Sequence, residues 1–263
     1  MIRIYNESCL TAIDRLGDGS VNVILTSPPY NTQPRNDCPM YDVHDDEMGE
    51  DEYKELCTSL FTKAERVLRK DGVIVWNTSY GAHNGDIFVK VLADICEKTA
   101  FTIADVIVWK KNCAFPNNLS PNRLTRICEF VFVLVRRSEL ATFFCNKAES
   151  SVRERTGQKM YVPINNIIVA KNNDGTNGGL NYATFSTDFA RQLLTLYYDK
   201  KSGGLVFDPF MGTGTTASAA RDMEIDCVGA EISEAQCDYA KRRLDDMFTE
   251  VEIVKPQGGT NER

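Results

Sequence analysis

At 263 residues, with 43% hydrophobic and 25% charged content, the chain has the makeup of a globular protein with a sizeable core, built as one large α/β domain or a domain with an insert. No apolar run approaches the roughly 20 residues of a membrane span, and the chain opens without a charged-then-apolar leader. Nine cysteines, an odd number with no C-x-x-C spacing, read as reduced thiols, so a cytoplasmic protein with no membrane association is expected. With only His44 and His83, a His-rich metal site or a His-based triad is poorly supported, and no metal is expected.

The net charge of −7 is unevenly spread. Between positions 37 and 55 nine acids face only Lys54, and His44-Asp45-Asp46 among them reads as a solvated loop. Between positions 110 and 171 eleven Lys and Arg residues face four Glu. A basic segment inside an acidic chain is how a phosphate-binding face shows itself in sequence.

In chain order, residues 1–5 alternate as a short strand, and 9–16 carry Leu10, Ile13 and Leu16 on a helical period that ends at Gly17. Residues 21–25 are a buried strand. The stretch Thr26-Ser27-Pro28-Pro29-Tyr30-Asn31 follows it directly. Two prolines cannot continue a ladder, so they fix a stiff extended loop at the carboxyl end of a strand, where open α/β sheets bind their ligands. A serine hydroxyl, a proline carbonyl and an aromatic ring presented together suit a flat, amine-bearing group; a plain strand-ending turn is the simpler alternative. Residues 32–49 are expected to form a long loop or lid beside that site.

A helix spans 50–69, stopped by Lys70-Asp71-Gly72, and a strand follows at 73–76. A second helix covers 86–98, and strands cover 101–109 and 130–135, joined by a polar connection. Strands alternating with helices predict a parallel, doubly wound sheet. Trp76 and Trp109 are expected in the core. Asn77 and Tyr80 either line a pocket or form a turn, and Glu129 is expected to pair with Arg126 or Arg123. Residues 138–179 break the rhythm and read as a loop-rich insert outside the central sheet. A helix at 187–198, capped by Ser186 or Thr187, restores it.

The second site-forming stretch is a strand at 204–208, the turn Pro209-Phe210-Met211-Gly212-Thr213-Gly214-Thr215-Thr216-Ala217, a helix to 221, and a strand at 226–230 ending at Glu231. Gly212 and Gly214 permit a tight turn and close approach to a ligand, and Glu231 can accept hydrogen bonds from two ribose hydroxyls. Ser233 caps a last helix, and the tail from 255 is expected to be disordered. Too few residues follow Glu231 for two βαβαβ halves, so this cofactor unit must borrow its remaining strands from upstream.

Taken together, the two stretches resemble the β-group of DNA amino-methyltransferases, the N4-cytosine/N6-adenine family, over roughly residues 4–244. Residues 26–31 resemble its S/D-P-P-Y motif and residues 207–216 its F-x-G-x-G loop, in the family's permuted order. Two departures are visible: Glu7-Ser8 stands where Gly-Asp is common, and Asn181-Tyr182-Ala183-Thr184-Phe185 where His-Pro-Ala-x-Phe is common. The resemblance implies a circularly permuted, Rossmann-like, mostly parallel sheet, the S-adenosylmethionine-dependent methyltransferase fold. Residues 1–137 would form its catalytic part, 138–180 a target-recognition insert, 181–248 the cofactor part and 249–263 a flexible tail.

It further implies S-adenosylmethionine bound by Thr26, Phe185, Asp208, Pro209, Phe210, Gly212, Gly214, Thr215 and Glu231, with Ser27, Pro28, Pro29 and Tyr30 catalytic. Ser27 Oγ and the Pro28 carbonyl would accept the two amine hydrogens while Tyr30 stacks on a flipped base. Double-stranded DNA would be held by Lys110, Lys111, Arg123, Arg126, Arg153, Arg155 and Lys159. A cognate restriction endonuclease and a homodimer are compatible partners. Ser27 leans toward cytosine N4 over adenine N6. No cysteine follows a proline, which excludes a C5-cytosine mechanism. Methylation of RNA or a protein amide, and an NAD-dependent oxidoreductase, are the competing readings.

Overall fold

The computed structural model describes residues 1–31, 48–81, 85–114, 116–175, 184–245 and 249–256. The strands are β1 (Ile2–Tyr5), β2 (Val21–Thr26), β3 (Leu68–Thr78), β4 (Phe101–Lys111), β5 (Cys128–Arg136), β6 (Glu149–Arg153), β7 (Gln158–Tyr161), β8 (Ile167–Ala170), β9 (Leu205–Asp208), β10 (Cys227–Ala230) and β11 (Val251–Val254). The helices are α1 (Cys9–Ala12), α2 (Glu50–Val67), α3 (Ile87–Lys98), α4 (Thr187–Tyr197), α5 (Thr215–Asp222) and α6 (Glu234–Leu244).

Among the described residues, nine strands form one sheet in the order β11-β1-β10-β9-β2-β3-β5-β4-β8. In that sheet β5 runs antiparallel to both neighbours, and every other pairing is parallel. The expected α/β class and permuted order are both present. The chain enters beside β10 and supplies β2 and β3 first, and only near its end does it lay β9 and β10 between β1 and β2.

Every residue of β2 is buried, as a central parallel strand covered on both faces requires. Val23 and Leu25 face a core shared with α4, α5 and α6, whereas Ile24 faces one shared with α1, α2 and α3. The α2 helix shows why its sequence folds so: Tyr53, Cys57, Leu60, Phe61, Ala64 and Val67 fall on one buried face, and Glu50, Asp51 and Glu52 complement the dipole of its first turn. Ser186 and Ser233 cap α4 and α6, accepting from Phe189 N and Gln236 N. No described helix is long and apolar enough to cross a membrane.

Three expectations are corrected. Helix α2 stops at Val67 and β3 begins at Leu68. Residues 69–72 bulge out of β3 between its pairings with Val21 and Val23, with Asp71 at φ 58° and Gly72 pressed on the Asn22 carbonyl, where a Cβ would lie 2.9 Å away. The 138–179 insert is not wholly outside the sheet, because β8 pairs with β4 and buries Ile168 and Ala170 against the core. Residues 251–254 are not tail but an edge strand parallel to β1. The expected lid lies largely outside the described residues, as do His44 and His83.

Candidate active site

Strands β2 and β9 lie side by side at the centre of the sheet. β2 leads through α2 to β3 on one side, and β9 leads through α5 to β10 on the other. That is a topological switch point, and the two stretches singled out in the sequence emerge there together. Thr26 Oγ1 donates to Asp208 Oδ1 at 2.6 Å, joining residues 182 positions apart. Thr216 Oγ1 donates to the other carboxylate oxygen at 2.5 Å, and Phe210 N adds a third hydrogen bond at 3.0 Å. Asp208 is fully buried; desolvation raises its pKa to about 6 against the opposing pull of those donors. Thr26 and Asp208, both expected at the cofactor, also clasp the two loops together.

The proline loop is held from below and behind. Tyr53 of α2 donates its hydroxyl to the Pro29 carbonyl at 2.6 Å. Asn31 takes φ 52°, a left-handed turn that Asn tolerates, and donates from Nδ2 to the Met48 carbonyl at 2.7 Å. Inside the loop, Ser27 Oγ and the Tyr30 hydroxyl are 2.8 Å apart. Tyr30 donates to Glu129 Oε2 at 2.8 Å. Asn77 Nδ2 lies 2.7 Å from the Tyr30 hydroxyl, 2.9 Å from Glu129 Oε2 and 3.3 Å from Ser27 Oγ.

Glu129 thus pairs with neither Arg126 nor Arg123. Its other carboxylate oxygen accepts from Lys111 Nζ, whose ammonium also sits 5.1 Å above the Trp109 ring. Sequence reasoning missed Glu129 and left Asn77 undecided. The available signal was alternation: Glu129 shares a face with Val131, Val133 and Val135, all buried, so it had to point inward.

At the second stretch, Gly212 turns at φ 54°, and its N–H donates to Glu231 Oε2 at 2.9 Å. Ser233 N donates to Glu231 Oε1 at 2.8 Å, so the carboxylate is fixed beside the turn. Gly214 has φ 81° and begins α5; a Cβ there would lie 3.0 Å from that of Ala240. Its lack of a side chain serves close packing of α5 on α6 and not only approach by a ligand. Thr215 Oγ1 accepts from Arg243, and Pro209 is buried directly after β9. Phe210 packs edge-on to Trp76, and Phe185 packs edge-on to Phe189 in the core.

Residues 21–242 match the family model of N6/N4 methyltransferases described as DNA methylase. The chain belongs to the DNA methylase family. Among curated relatives it is 25% identical to the Type II methyltransferase M.Cfr9I of Citrobacter freundii, over 94% of this chain and 89% of that one. It is also 25% identical to the orphan methyltransferase M.BamHII of Bacillus amyloliquefaciens, over 88% and 91%. The fold is shared with the cytosine-N4-specific PvuII DNA methyltransferase (TM-score 0.69, 17% identity, 94% of this chain and 87% of that one). It is shared too with TTHA0409 of Thermus thermophilus complexed with S-adenosyl-L-methionine (TM-score 0.60, 19% identity, 97% and 100%).

The cofactor of this DNA methylase is S-adenosylmethionine, and the chain's own residues fit it. Glu231 stands fixed at the end of β10 beside the glycine turn, and Thr213 Oγ1 in that turn is buried without a hydrogen-bond partner among the described residues. Of the cations expected on DNA, Lys110, Arg123, Arg153 and Arg155 are exposed. Arg126 lies 5.2 Å over the Tyr80 ring, Lys159 is exposed but paired with Glu149, and Lys111 is drawn inward to Glu129.

Proposed function

We propose that this DNA methylase methylates the exocyclic amine of a base flipped out of duplex DNA, cytosine N4 by preference and adenine N6 as the close second. The observation that carries the reading is the 2.6 Å clasp from Thr26 to Asp208, which brings the amine-holding loop and the cofactor turn to one point of the sheet. When bound, the cofactor supplies an electrophilic methyl group on a sulfonium.

An exocyclic amine is a poor nucleophile because its lone pair is delocalised into the ring. With Ser27 Oγ and the Pro28 carbonyl accepting its two hydrogens, the nitrogen is turned so that its lone pair faces the methyl. Orientation and fixed dipoles then supply most of the acceleration. The Tyr30 ring would hold the extruded base by its face, while its hydroxyl is tied to Glu129 and Ser27. A serine at the head of the proline loop and the shared fold with a cytosine-N4-specific enzyme support the cytosine preference.

The exposed hairpin β6–β7, with Arg153, Arg155 and Lys159, belongs to the segment that would contact DNA, since a two-stranded ribbon fits the major groove. A restriction endonuclease sharing the site fits the Type II relative, and solitary action fits the orphan one. The site of action would be cytoplasmic DNA.

Transfer of a tritiated methyl group to duplex DNA, followed by nucleoside analysis, tests the reading. N4-methylcytosine is the expected product. N6-methyladenine would correct the base, and label in RNA or protein alone would overturn the function.

A further inference from the structure

We propose that Glu129 is a positioning residue for methyl transfer: through Tyr30 it fixes Ser27 as a hydrogen-bond acceptor and receives the proton that the methylated amine must lose. The inference rests on the amine-methylation reading above and concerns residues outside the proline loop. Its basis is where each hydrogen in the network can go.

Glu129 is 9% exposed on β5 and is faced by Tyr30 from the loop after β2, Asn77 from β3 and Lys111 from β4. A carboxylate so placed is tolerable only when paired, and the Lys111 ammonium on Oε1 meets that need. Oε2 has only lone pairs to offer, so Tyr30 must turn its single hydroxyl hydrogen toward it. The phenol oxygen can then act only as an acceptor. Across the 2.8 Å to Ser27 the hydrogen must therefore belong to serine. Ser27 spends its one hydrogen inward, Asn77 Nδ2 approaches one of its lone pairs at 3.3 Å, and the other lone pair is what remains for the base. Without a carboxylate at the end of this chain the phenol hydrogen could turn to Ser27. Serine would then point its own hydrogen at an amine that also donates.

The same chain runs in the same direction after transfer. As the amine nitrogen bonds to the methyl carbon, the carbon–sulfur bond breaks and its electron pair stays on sulfur. The nitrogen, now cationic, gives a proton to Ser27 Oγ. Ser27 passes its own hydrogen to Tyr30, and Tyr30 passes its hydrogen to Glu129 Oε2. The carboxylic acid so formed loses that proton to solvent before the next turnover.

The test compares Glu129→Gln, Glu129→Asp and Tyr30→Phe with the wild-type chain on duplex DNA and S-adenosylmethionine. Gln keeps the shape but cannot take a proton, and Phe keeps the ring but cuts the chain. For Glu129→Gln and Tyr30→Phe, kcat should fall about 100-fold. KM for S-adenosylmethionine and its Kd should stay within about twofold. Glu129→Asp should restore part of the rate. A purely structural role would instead lower melting temperature and cofactor affinity with the rate. Should Glu129→Gln fail to fold, Tyr30→Phe, at a half-buried loop position outside the strands, carries the same expectations. Rates within about threefold of wild type would overturn the inference and leave the methylation reading standing. A wild-type chain that methylates no DNA amine would overturn both.

Discussion

The loop junction at the centre of the sheet and the β6–β7 hairpin differ in almost every physical respect. At the junction, Thr26, Asn77, Glu129, Asp208 and Thr216 are all buried, and hydrogen bonds among them and to Tyr30 join parts of the chain far apart in sequence. In the hairpin every residue of both strands is exposed, Val152 and Tyr161 included, and its polar contacts are local, such as Lys159 with Glu149. A site that does chemistry needs its groups fixed before the substrate arrives, because reorganisation would otherwise be required during the reaction. A surface that reads another molecule can leave its contacts to be completed by that molecule. The contrast predicts that junction variants change rate or cofactor affinity, whereas hairpin variants change DNA affinity and its salt dependence.

The contrast is broken most sharply at Glu231. Replacement by Ala removes the acceptor for Gly212 N and Ser233 N and the group suited to a ribose. S-adenosylmethionine affinity should fall about 100-fold by calorimetry, roughly 3 kcal/mol for charge-assisted bonds, with DNA binding unchanged; loss of DNA binding instead would blur the division.

Asp208 offers a pH test of similar size. Its pKa in the folded chain is about 6, above the ordinary value of 3.8. Its contribution to stability is therefore full below about pH 4, falls as pH rises through about 6, and is flat beyond. Asp208→Asn should lose that dependence. Chemical denaturation of the two chains should diverge by about 3 kcal/mol between about pH 4 and about pH 7. Parallel curves would place the charge elsewhere.

Gly214→Ala comes next, with an expected loss of about 2 kcal/mol in thermal or denaturant unfolding, from the left-handed backbone and the 3.0 Å approach to Ala240. At the hairpin, Arg153→Gln with Arg155→Gln should reduce the slope of log affinity against log salt by about 2. Turnover at saturating DNA should not change. A lower saturating rate would tie the hairpin to the chemistry and end the contrast.

Much of this was legible in the sequence, and what was not shares a cause. The proline loop, the glycine turn, the acid after β10 and both serine caps are local signals: a few adjacent residues specify each geometry. Their meeting at one point followed from chain order, since the glycine turn came too late to own its sheet. The edge strands β8 and β11 were missed because each is four residues long and exists only through pairing with β4 or β1, partners distant in the chain. The roles of Glu129 and Lys111 depend on the register of β5 against β4, which places Trp109 opposite Glu129 and puts Lys111 within reach of its carboxylate. A run of charges cannot reveal which member turns inward. Gly214 was read correctly as a turn residue, but the nearness of α6, which forbids a Cβ there, is a packing fact.

The most direct measurement is single-turnover methyl transfer by Ser27→Ala beside the wild-type chain, with cofactor affinity determined on the same samples. Loss of an amine acceptor at a shared site predicts a rate about 100-fold lower with S-adenosylmethionine binding unchanged. A rate within about twofold of wild type would mean that the proline loop does not hold the reacting amine, and would contradict a site shared by the two stretches.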